Sequence, residues 1–181
     1  MEIDSQLSSK IYNLLNYAGK NNFKIDDLNK EPYAHLGKID KRNIELIATP
    51  EMVEKENRRL CYDQTFLVKK WIDEAKIQNK IFYSVTNNLK SENDLYYYSQ
   101  GVISHTFILC LINEKWKWIE WSWTANIHNK LEDENIDKVL EQYKQMAERS
   151  WHKQIKLIEI SNIKFDLPIP RLDYLNKCLR S

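Results

Sequence analysis

The chain has 181 residues and carries 27 Lys plus Arg against 26 Asp plus Glu, a balance with no broad field to draw it onto a nucleic-acid backbone or an anionic membrane. At 43% hydrophobic content a chain of this size buries roughly 70% of its unfolded surface, which suits a single domain over residues 1–181, with a core at about 49–160 and a helical extension at 1–48. The opening Met1-Glu2-Ile3-Asp4-Ser5-Gln6 lacks the basic head and apolar run of a secretory leader, and nowhere do eighteen apolar residues run together, so a cytoplasmic protein with no membrane partner is expected.

In chain order, Leu7, Ile11, Leu14, Leu15 and Ala18 form a stripe that Gly19 ends, predicting a helix over about 5–19. No long element is expected from Lys20 to Ala48. Thr49-Pro50-Glu51 reads as a helix start, with Thr49 as N-cap and Pro50 at the first helical position, running to about Glu56. From Leu67 the apolar positions Leu67, Val68, Trp71, Ile72 and Ala75 recur at helical spacing, and the stripe extends back to Gln64 and Cys61. Residues 80–86 read as a strand and 87–94 as a polar loop, while Tyr96-Tyr97-Tyr98 fits either state. The segments 104–112 and 115–123 are apolar and aromatic and are joined by Asn113-Glu114, which predicts a hairpin. With a two-residue loop, paired residue numbers sum to 227, so that His105, Phe107, Trp118 and Glu120 share one face and Cys110, Ile119 and Trp121 the other. Glu132-Asp133-Glu134 opens an amphipathic helix carrying Ile136, Val139, Leu140, Tyr143 and Met146 up to Arg149. A last strand is expected at about 154–160, and Pro168 and Pro170 lead to a short C-terminal segment containing Cys178.

Three cysteines without paired spacing argue for free thiols rather than a disulfide framework. No Cys-x-x-Cys or His-Glu-x-x-His spacing points to a metal, and His105 and Cys110, five apart on a strand, fall on opposite faces. Cys61 stands at the head of a helix, where the partial positive charge of the N-terminus favours a thiolate nucleophile; as a small apolar side chain it also suits plain packing. Thiol chemistry requires a base and a group that holds the base in the right tautomer. His105 heads an apolar strand, and Glu120 interrupts an aromatic run where a buried carboxylate needs a donor such as an imidazole N–H. Gln64, one turn after Cys61, reads equally as a site residue or a helix-surface amide. Trp116, Trp118, Trp121 and Trp123 read as an aromatic substrate cleft or, for at least two of them, as core packing.

A helix-head Cys, then a strand His, then an acid on the next strand resembles the transglutaminase-like superfamily of papain-like cysteine enzymes. The likeness is carried by Leu60-Cys61-Tyr62-Asp63-Gln64, Ser104-His105-Thr106-Phe107-Ile108 and Trp118-Ile119-Glu120-Trp121-Ser122-Trp123. Within the superfamily these look most like small bacterial and phage proteins, and the likeness spans about residues 49–145. It implies an α+β fold in which the nucleophile helix packs on an antiparallel sheet, with Cys61 as nucleophile, His105 as general base and Glu120 orienting His105. It implies amide hydrolysis, deamidation or transamidation on a peptide, protein or small amide, with no cofactor and no nucleic-acid partner. Glu stands where many members have Asp, and no upstream Gln or Trp serves as oxyanion donor, so the Cys61 backbone N–H, Gln64, Trp118 and Trp121 are the oxyanion or substrate candidates. The rival expectation is an inactive binding or structural module that keeps the fold.

Overall fold

The computed structural model describes residues 46–56, 61–86, 104–119 and 131–180. The helix expected at 5–19, the loop at 87–94, Tyr96 to Tyr98, Glu120, Trp121 and Trp123 lie outside these residues. The described part is α+β, with antiparallel strands and four helices.

Strand β1 (Leu46–Ile47) leads into helix α1 (Pro50–Glu56), which starts as its sequence dictates. The Thr49 hydroxyl accepts the Met52 N–H at 3.2 Å and the Thr49 carbonyl accepts Val53 N–H at 2.9 Å, satisfying donors that the first helical turn otherwise leaves open. Helix α2 (Cys61–Glu74) follows and packs Leu67 against Ala48 and Val53. Strands β2 (Asn79–Thr86), β3 (Ser104–Ile112), β4 (Lys115–Ile119), β5 (Glu132–Asp133) and β6 (Ile155–Glu159) form one sheet in the order β5-β4-β3-β2-β6, every neighbouring pair antiparallel. Helix α3 (Ile136–Trp151) lies between β5 and β6 in the chain, and β7 (Ile169–Pro170), which pairs with β1, precedes helix α4 (Arg171–Arg180).

The β3–β4 hairpin has the anticipated register. Ile112 faces Lys115, Leu109 faces Trp118 and Ile108 faces Ile119, each pair summing to 227. Asn113 and Glu114 have φ of 52° and 63°, the double positive φ that lets a two-residue turn match the twist of its strands. Asn tolerates that region and Glu does not. Glu114→Gly is therefore expected to raise stability by a few tenths to about 1 kcal/mol, read as a higher urea midpoint at constant m-value.

Alternation along the strands divides the core into two layers. One contains Ile81, Tyr83, Val85, Ile108, Cys110 and Ile119 from the sheet, packed against Val68 and Ile72 of α2 and Tyr174, Leu175 and Cys178 of α4. The other contains Phe82, Phe107, Leu109, Trp116 and Trp118, packed against Val139, Tyr143 and Ala147 of α3. Cys110 thus lies on the α2 side and His105, with Phe107, on the α3 side.

One expectation is corrected. Glu132 and Asp133 do not open a helix; they pair as β5 with Lys117 and Trp116 at the sheet edge, and Lys117 and Lys115 bond the Glu132 carboxylate at 2.8 and 3.3 Å, holding it below its usual range. The helix begins instead at Asn135, whose side chain accepts the Asp137 N–H at 2.8 Å. The C-terminal segment is a ten-residue helix, because Tyr174, Leu175 and Cys178 make one buried stripe. Ile47, Ile169 and the α4 stripe also join the buried core.

Candidate functional site

Cys61 is the first residue of α2 and is half-buried against the layer shared with α4. One turn later, Thr65 is fully buried, and its hydroxyl lies 2.7 Å from the Cys61 carbonyl and 3.1 Å from the Thr106 carbonyl. A single hydroxyl proton is shared by a helix carbonyl and a strand carbonyl, so the head of α2 is fastened to the start of β3, beside His105. Asp63 is fully buried and accepts the Ala48 N–H at 2.9 Å. Its role is to tie the chain before α1 to the head of α2, a long-range contact that no local pattern in the sequence announces.

His105 is the second residue of β3 and is buried. Its ring lies parallel to that of Phe107, with centroids 6.3 Å apart and 15° between the planes, and Phe107 packs on Tyr143 of α3 at 4.0 Å. Alternation gives Thr106 to the surface under α2 and α4, and the His105 ring lies parallel to that of Phe107, whose layer packs on α3. The structure joins the two segments through Thr65 and the strand backbone.

The neighbouring polar contacts differ on the two faces. Under α4, the Thr106 hydroxyl and the Tyr174 phenol are 2.8 Å apart, and burial, then the adjacent Cys178, pushes the Tyr174 phenol well above its ordinary value. Under α3, Ser84 lies opposite His105 in the β2–β3 ladder, its hydroxyl 2.8 Å from the Tyr143 phenol and 3.3 Å from the His105 carbonyl.

The other candidates are placed as follows. Gln64 is buried, not a surface amide, and its Oε1 has no hydrogen-bond partner. Trp118 is buried against Tyr143 on the α3 side, with rings edge to face at 5.5 Å, and Trp116 is buried in the same layer. Glu120 and Trp121 lie outside the described residues; among the described residues the paired register runs from Ile112 with Lys115 to Ile108 with Ile119. The three cysteines are free thiols, but Cys110 and Cys178 are fully buried. Burial pushes the Cys178 thiol up to about 12 and the Cys110 thiol far above its ordinary value. Among the described residues no group of three His, Cys, Asp or Glu is arranged to hold a metal, and no helix is long and apolar enough to cross a membrane.

No family model, curated protein or solved structure matches the chain.

Proposed function

We propose that the chain is a cysteine-dependent acyl-transfer enzyme of papain-like, transglutaminase-like architecture, acting on an amide in a peptide, protein or small molecule. Cys61 attacks the amide carbon and His105 takes the thiol proton and passes it to the leaving amine. Glu120 steadies the imidazole, and water or an amine then releases the thioester. The observation that carries this reading is that Cys61, the half-exposed thiol of the three, heads a fourteen-residue helix whose first turn is fastened through Thr65 to the strand start bearing His105.

A second reading, the same fold kept as a binding or structural module, is favoured by the side of the sheet that His105 occupies. There the imidazole lies parallel to Phe107, in the layer that packs on α3.

Alkylation kinetics separate the two. Iodoacetamide is expected to modify Cys61 alone in the native chain, because the other two thiols are buried and hold their protons. In His105→Gln the rate at about pH 6.5 should fall at least about tenfold if the imidazole takes the Cys61 proton. An unchanged rate favours the binding module.

A further inference from the structure

Strand β2 is apolar at Ile81, Phe82, Tyr83 and Val85, and the polar exceptions among its buried positions are Ser84 and Thr86. Both point to the α3 side. The ladder sets Ser84 directly opposite His105, and Thr86, two residues on, is the diagonal neighbour of His105 on the same face. Hydroxyl residues in the centre of a dry sheet carry a desolvation cost unless they are hydrogen-bonded. Their placement around one histidine is a local inconsistency of the kind that marks a functional position. The Thr86 Oγ1 is buried and has no hydrogen-bond partner, so the hydroxyl is not retained to satisfy another part of the core.

The Ser84 hydroxyl lies 3.3 Å from the His105 carbonyl and 2.8 Å from the Tyr143 phenol, a hydroxyl pair in which either oxygen can be the donor. This pair ties helix α3 to the backbone of His105. The same tyrosine packs on Phe107 at 4.0 Å, and Phe107 lies parallel to the imidazole. Backbone and ring of His105 are therefore both referred to one side chain on α3, in surroundings where Ser84 and Phe107 are fully buried and Tyr143 nearly so.

We propose that Tyr143 is a positioning residue for His105, setting its backbone through Ser84 and its ring plane through Phe107. The inference rests on the reading of His105 as the base for Cys61 and adds to it the element, α3, that holds the base. Each hydroxyl is removed with little change of shape by Tyr143→Phe and Ser84→Ala. Val139→Ala, buried on α3 one turn before Tyr143 and carrying no hydroxyl, reports loss of packing alone.

Two measurements are made on the intact chain. Iodoacetamide alkylation of Cys61 across the pH range should slow about three- to tenfold in Tyr143→Phe and in Ser84→Ala, the equivalent of one lost hydrogen bond. The double variant should be no slower than Ser84→Ala, because the two hydroxyls act in series. Val139→Ala should lower the urea midpoint and leave the alkylation profile unchanged. In parallel, the titration midpoint of the His105 imidazole, followed by NMR and assigned with His105→Gln, should move by about half a pH unit or more in both hydroxyl variants. Midpoints that stay at the parental value in both variants, or that move equally in Val139→Ala, overturn the positioning role. If His105→Gln alkylates at the parental rate, the pairing of thiol and imidazole fails, and the NMR midpoints alone decide whether Tyr143 positions His105.

Discussion

Replacing Cys61 with alanine is expected to abolish acyl transfer while costing no more than about 1–2 kcal/mol of stability. The asymmetry follows from where the side chain stands. A nucleophile is the one member of the constellation that no water or neighbouring group replaces, so its removal ends the thioester route, whereas loss of a base slows it. Structurally, Cys61 is half-buried at a helix head, and the bonds that fix that head come from Thr65 and Asp63 side chains and the Cys61 carbonyl, not from its sulfur. The assay follows three products from a glutamine-containing peptide: released ammonia, cleaved peptide and an incorporated amine. Cys110→Ala serves as the control, since Cys110 is fully buried in the sheet on the α2 side. It should keep any parental activity and lose stability. A Cys61→Ala protein with parental activity ends the nucleophile assignment, and a parent inactive in all three assays favours the binding module.

Stability is expected to fall steeply above about pH 8.5. In the folded chain burial holds the proton on Cys178 up to about 12 and on Cys110 higher still, and it pushes the Tyr174 phenol well above its ordinary value. In the unfolded chain the thiols release their protons near 8.5 and the phenol near 10, on the ordinary values. The folded state therefore binds more protons than the unfolded one, and its advantage is complete below the unfolded values and lost as the pH rises towards the folded ones. Each thiol contributes a slope of up to about 1.4 kcal/mol per pH unit, so two together remove roughly 2–3 kcal/mol between pH 9 and 10, after which Tyr174 adds its own. Against a net stability of about 5–15 kcal/mol, that is a large fraction of what holds the chain folded. Urea midpoints from about pH 8 to 10.5 measure the slope, and Cys178→Ala should flatten it by one group. A slope unchanged in that variant refutes the account.

The hairpin was legible because its signals are local. Alternation in 104–112 and 115–119 and the two polar residues between them fix both the turn and the register that the ladder displays. Thr49-Pro50 likewise carries its own cap. Glu132-Asp133 misled because acid at a helix start and acid at a sheet edge facing Lys115 and Lys117 are the same letters, and only the distant strand distinguishes them. The C-terminal helix was masked by Pro168 and Pro170, which punctuate the chain just before a stripe of three buried residues. At the candidate site, the residue types could be read, but not which helix covers which face. Periodicity sets His105 and Phe107 together, yet only the packing of α2 and α3 decides that this face lies under Tyr143. Asp63 could not be assigned, since its partner is a backbone N–H fifteen residues earlier.

The pairing of β1 with β7 has a consequence for how the protein is made. Ile47 meets Ile169, 122 positions later, and Ile47 is fully buried in the layer that also takes in Tyr174. During synthesis at about 5–20 residues per second, roughly 6 to 25 seconds separate the appearance of these partners. Until α4 emerges, the Thr106 hydroxyl lacks Tyr174 and the layer beneath the Cys61 helix is open along one side. The nascent protein thus carries Cys61 on an unfinished platform, and completion of that layer waits on the translation of α4.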